Sequence, residues 1–109
     1  MSRSDELRLG DILEAARLIE QLSLRGYEAF DEDPALKPAM ERLLEIIGEA
    51  AGSLSEEFRA THADVAWTDI RRLRIVLAHH YHRVDPEQVR AIATVDIPRM
   101  VADLSDHED

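Results

Sequence analysis

Cysteine is absent from this 109-residue chain. Disulfides, zinc ribbons and thiol nucleophiles are therefore excluded, as suits a reducing compartment. Long apolar runs are missing too, so no segment of the sequence can span a bilayer. The N-terminal stretch MSRSDELRLG becomes charged at once and lacks the apolar core of a signal peptide. No strand-like alternation, internal repeat or low-complexity tract is present. These absences lead us to expect a cytoplasmic protein with no membrane association.

Hydrophobic residues make up 45% of the chain and charged ones 33%, which places it among globular proteins rather than disordered ones. The length suffices for one core, and the expected organisation is a single domain over 1–109 with a frayed tail at 105–109. Net charge is −10 and would argue against a nucleic-acid partner if spread evenly. It is not spread evenly. The window from Ile70 to Val84 holds four of the 13 basic residues and no acidic one, leaving nine basic against 23 acidic residues elsewhere, or −14. A local cationic site on an acidic body suits a small anionic target or an active-site phosphate. A helix face that merely happens to be basic gives the same count.

The remaining pattern is helical throughout. Ser2 or Ser4 caps a first helix, with Asp5 and Glu6 in its first turn. Leu9, Ile12, Ala16, Ile19 and Leu22 recur at spacings of three and four and form one apolar stripe. Gly26 is the expected stop, with Tyr27 and Phe30 packing back as the chain leaves. The acidic turn at Asp31–Pro34 opens a second helix to about Ala51, with Pro34 in its first turn. Its stripe is Met40, Leu43, Leu44, Ile47, Ala50 and Leu54. Gly48 lies inside that pattern at a cost of about 1 kcal/mol relative to alanine, which a close helix approach would justify. Gly52 ends the helix, and Ser53 with Glu56 reads as a capping box for a short third one.

After a polar connection at 61–64, a fourth helix begins at Ala66 or Trp67. Trp67, Ile70, Arg74, Leu77 and Tyr81 follow one another at helical spacing, so an arginine sits inside an apolar stripe. A buried guanidinium is costly unless paired or set against a second molecule. The alternative is that Arg74 reaches water while Leu73 takes its place in the stripe. Asp85-Pro86-Glu87-Gln88 starts another short helix, and Asp96 opens the last, IPRMVADL. The predicted fold class is all-α, a helical bundle with short loops.

At these residues the chain resembles a family. Arg74-x4-His79-x-Tyr81 matches the R-x4-H-x-Y motif of HepT-like toxins, within the HEPN superfamily of helical RNases. The resemblance extends over most of the chain. It takes in the opening helix DILEAARLIEQL, the Gly-Glu-Ala-Ala signature at Gly48–Ala51, Trp67 at the head of the motif helix, Val84-Asp85, and Asp96-Ile97-Pro98. It implies a HEPN-type antiparallel helical bundle with short additional C-terminal helices. One departure is Ile75, which stands where many HEPN proteins have asparagine directly after the motif arginine.

The activity implied is endoribonuclease-type phosphodiester cleavage without metal or cofactor, in a type VII-like toxin–antitoxin pair. The RNA 2′-hydroxyl attacks the adjacent phosphorus, and charge develops on the phosphoryl oxygens. Arg74 suits that charge because a guanidinium stays protonated and donates two parallel hydrogen bonds. His79 suits proton transfer, since an unperturbed imidazole titrates near neutrality. Five residues at about 100° each place Arg74 and His79 roughly 140° apart on a straight helix. Either the helix ends near His79, or a second protomer completes the cleft, and the resemblance implies a homodimer. Arg72, seven residues before His79, and His80 are supporting candidates.

By resemblance Tyr81 is the acceptor of AMP from a minimal nucleotidyltransferase (MNT-type) antitoxin, a modification that would block RNA entry and repel phosphate. By spacing alone it is a core aromatic. Glu49, the lone charge in IIGEAAG, could pair with Arg74 or be an ordinary exposed helix residue. His79 and His82 have the spacing of a helical metal pair beside His80, but no carboxylate lies nearby and no metal site is expected. The alternative function is a catalytically weak HEPN dimer that binds nucleotide or protein, which Ile75 and the acidic balance favour.

Overall fold

A computed structural model describes residues 2–25, 27–70 and 95–106 of the chain. Helix α1 spans Arg3–Ser23, α2 Tyr27–Glu32, α3 Leu36–Ser53, α4 Glu56–Thr61 and α5 Ile97–Asp106. Residues 67–70 form a further helical turn, and no strand occurs among the described residues. The all-α expectation therefore holds.

The cap of α1 is Ser2, whose Oγ accepts from the Asp5 backbone N–H at 3.0 Å. Leu9, Ile12, Ala16 and Ile19 are buried as the spacing predicted, joined by Ala15, with Leu22 at the margin of the core. Along α3 the inward face is Met40, Leu44, Ile47, Ala50 and Ala51, flanked by the partly buried Leu43 and Ile46. These two faces pack on each other and form the principal helix pair. Asp5 near the start of α1 meets Ser55 just past the end of α3, so the pair runs antiparallel. Gly48 is buried within α3. Helix α5 buries Ile97, Met100 and Leu104, at helical spacing, and packs on α1. It continues through Asp106, two residues beyond the predicted IPRMVADL.

Two local expectations are corrected. The acidic turn does not lead straight into the second long helix. The short α2 comes first, and Pro34 lies in the turn before α3 rather than within its first turn. Asp33 organises that turn: its Oδ1 accepts from Ala35 N–H at 2.9 Å, its backbone carbonyl from Leu36 N–H, and its Oδ2 from Arg25. The proline tolerated at the helix start is Pro38, where no intrahelical donor is needed. The second correction concerns the cap of α4. Ser53 is the last residue of α3 and donates from Oγ to the Glu49 carbonyl at 3.1 Å. Ser55 is the cap, its Oγ accepting from Phe58 N–H at 3.1 Å.

Candidate functional site

Helix α4 has six residues, too few to be stable by hydrogen bonding alone. Its N-terminus is fastened to α1. Asp5 Oδ1 accepts from the Ser55 backbone N–H at 2.9 Å, and Oδ2 accepts from Ser55 Oγ at 2.6 Å. Asp5 is 4% exposed and is the sole buried charged side chain among the described residues. The two Ser55 bonds, side chain first and then backbone, hold its carboxyl below the usual carboxylate range against the opposing effect of burial. Asp33 is lowered likewise, by the Ala35 N–H and then by Arg25.

Phe58 carries α4 into the core, 4% exposed. The His62 ring stacks on it at 4.2 Å between centroids, and the Trp67 ring meets it edge-on at 6.2 Å. The His62 carbonyl accepts from Trp67 Nε1–H at 3.0 Å and from Val65 N–H at 3.1 Å. This knot leads the chain out of α4 and into the turn at 67–70, where Trp67 and Ile70 are buried. Tryptophan opening that turn agrees with the sequence reading. One donor nearby, Arg59 Nη1, is buried with no hydrogen-bond acceptor among the described residues.

Arg72, Arg74, His79, His80 and Tyr81, together with Ile75 and His82, lie outside the described residues. Glu49 is described: it is exposed on α3, and among the described residues no cation pairs with its carboxylate. Its suggested pairing with Arg74 also lies outside the described residues. Among those residues no group of three or more histidines, aspartates and glutamates could hold a metal ion. None of their helices is long and apolar enough to cross a membrane.

Sequence reasoning missed the Asp5–Ser55 bonds and the contacts of Phe58 and His62 with Trp67. Phe58 and Trp67 announce themselves as aromatics in a chain with 5% aromatic content. The Asp5–Ser55 bond leaves no local signal, because its partners are fifty positions apart.

A long antiparallel helix pair closed by short helices, with a buried tryptophan heading the segment that carries R-x4-H-x-Y, defines an all-α protein of HEPN type. The chain belongs to the HepT-like family: the family described as "Ribonuclease HepT-like" matches residues 12–106. The chain is 36% identical over 101 residues to "Probable ribonuclease HepT" of Thermococcus cleftensis, covering 92% of each. It is 39% identical over 83 residues to "Putative RNase TTE0752" of Caldanaerobacter subterraneus subsp. tengcongensis, covering 76% of this chain and 74% of that one. It is 34% identical over 102 residues to "Putative RNase MJ1380" of Methanocaldococcus jannaschii, covering 92% of this chain and 94% of that protein. No solved structure matches it significantly.

Proposed function

We propose that this protein is a metal-independent ribonuclease toxin, cleaving RNA phosphodiesters through Arg74 and His79. The observation that carries the reading is the family match over 12–106, which contains the Arg74-x4-His79-x-Tyr81 motif intact. Relatives named as ribonucleases along nearly their whole length support it. Arg74 neutralises charge on the phosphoryl oxygens and His79 moves the proton, with Arg72, His80 and Glu49 in support. The buried Trp67 and Ile70 are consistent with the stripe on which sequence spacing puts Arg74. A stripe arginine is best accommodated in a cleft shared by two copies, so the active form is a homodimer over one domain, 1–109, in the cytoplasm. A nucleotidyltransferase antitoxin silences it by adding AMP to Tyr81.

Induced expression is the test. Wild-type protein should arrest growth and His79→Ala should not. Equal toxicity of the two, or none from either, overturns the assignment. The second reading, a catalytically weak HEPN module acting by binding, is favoured by Ile75 and the −10 charge. It predicts purified protein that binds nucleotide or a protein partner and does not cleave RNA.

A further inference from the structure

Asp5 raises a question of energetics. Burying a carboxylate is costly, and no salt bridge to a described cation offsets it. An apolar pair of similar volume would avoid that cost but would leave the Ser55 and Phe58 N–H groups without these acceptors. What an apolar pair would not supply is direction. The carboxylate takes the backbone N–H and the hydroxyl of the same residue, and that hydroxyl simultaneously caps Phe58 N–H. The position of α4 is thereby fixed relative to the first turn of α1. Phe58, the next inward residue of α4, is the surface on which the His62 and Trp67 rings rest. Trp67 is in turn tied to the His62 carbonyl at the end of the same short helix.

We propose that Asp5 and Ser55 are positioning residues for the ribonuclease site, setting through α4, Phe58 and Trp67 where the segment bearing Arg74 and His79 begins. The inference rests on the proposed nuclease reading for its catalytic consequence, and on the Asp5–Ser55–Phe58–Trp67 chain of contacts for its structural one. Removing the pair shifts the head of the motif segment while the α1–α3 core stays folded. Misplacement on the scale of an ångström lowers turnover about ten- to a hundredfold without comparable loss of substrate affinity.

Trp67 is the single tryptophan of the chain and therefore reports its own position by fluorescence. Asp5→Asn, Asp5→Ala and the apolar double variant Asp5→Leu with Ser55→Ala are compared with wild type and with Leu36→Ala. Leu36 is a buried residue at the opposite end of α3 and serves as a destabilised control. All are measured well below their unfolding temperatures, on a short single-stranded RNA. The expected result is that the Asp5 variants lower kcat by that factor, keep KM within about twofold, and shift Trp67 emission to the red. Leu36→Ala should change neither kcat nor emission. The double variant, which also loses the α4 cap, should recover neither kcat nor emission. Unchanged kcat and emission in folded Asp5 variants overturn the proposal, as does an equal loss in Leu36→Ala. If wild type cleaves no RNA, the nuclease reading fails by itself. Trp67 emission then decides the pair, a shift confined to the Asp5 variants upholding it and no shift sinking it.

Discussion

Asp5 and Ser55 meet twice, backbone N–H to Oδ1 at 2.9 Å and hydroxyl to Oδ2 at 2.6 Å, fifty positions apart in the chain. The bonds are to the ionised carboxylate, and they depress its pKa in the folded protein. An unfolded aspartate titrates at about 3.9, so the stabilisation is fully present above that pH. It is lost as pH falls below that value and through the folded pKa. Urea midpoints should therefore drop on acidification below about pH 4 in wild type, and less steeply in Asp5→Asn. Parallel curves would remove Asp5 from the acid response.

Core truncation should separate the α3 stripe from the surface. Leu44 and Ile47 are fully buried, and either changed to alanine should cost about 2–5 kcal/mol in denaturant unfolding. Leu24, 81% exposed, should tolerate serine within about 0.5 kcal/mol. A similar cost at all three positions would mean the core is misassigned.

For the chemistry, Arg74→Ala and His79→Ala should each lower RNA cleavage by about 10²–10⁴-fold with little change in unfolding midpoint. Arg74→Lys should recover only part of the loss, because an ammonium does not offer the paired donors of a guanidinium. Full activity in His79→Ala would assign proton transfer to another group.

Chelation provides a direct check on the metal-free mechanism. Cleavage should be unchanged after dialysis against EDTA and should not rise on adding Mg²⁺, Mn²⁺ or Zn²⁺. Loss on dialysis with recovery by one of these ions would place a metal in the reaction.

Tyr81 makes its own prediction. Incubation with the nucleotidyltransferase partner and ATP should raise the intact mass by one AMP, about 329 Da from its covalent structure. Tyr81→Phe should gain nothing. The same gain in Tyr81→Phe would move the modification elsewhere.

The long helices were legible because each repeats its apolar residues every three or four positions over many turns. Leu9, Ile12, Ala16 and Ile19, and Met40, Leu44, Ile47 and Ala50, are buried as that spacing requires. Of the shorter helices, α4 and α5 were legible as well and α2 was not. Six residues of α2 carry too little periodicity to stand apart from a loop, so local pattern puts the start of the second long helix at Pro34 and not at Leu36. Two serines two positions apart offered two caps for α4, and local pattern favoured Ser53 because Glu56 completes a capping box. The choice between them was made by Asp5, at the start of α1 and fifty positions away in the chain. Of the candidate site, Trp67 heading a helical turn could be read in advance. The environment that holds it could not, since it depends on α4 having already been anchored.

The family match starts at residue 12, seven positions after Asp5. A chain cut back to that boundary would keep most of the α1 stripe and look intact by helix content. It would nonetheless have lost its fastening at the head of α4. Asp5 thus belongs to the working fold, and a boundary drawn at the start of the family match would discard it.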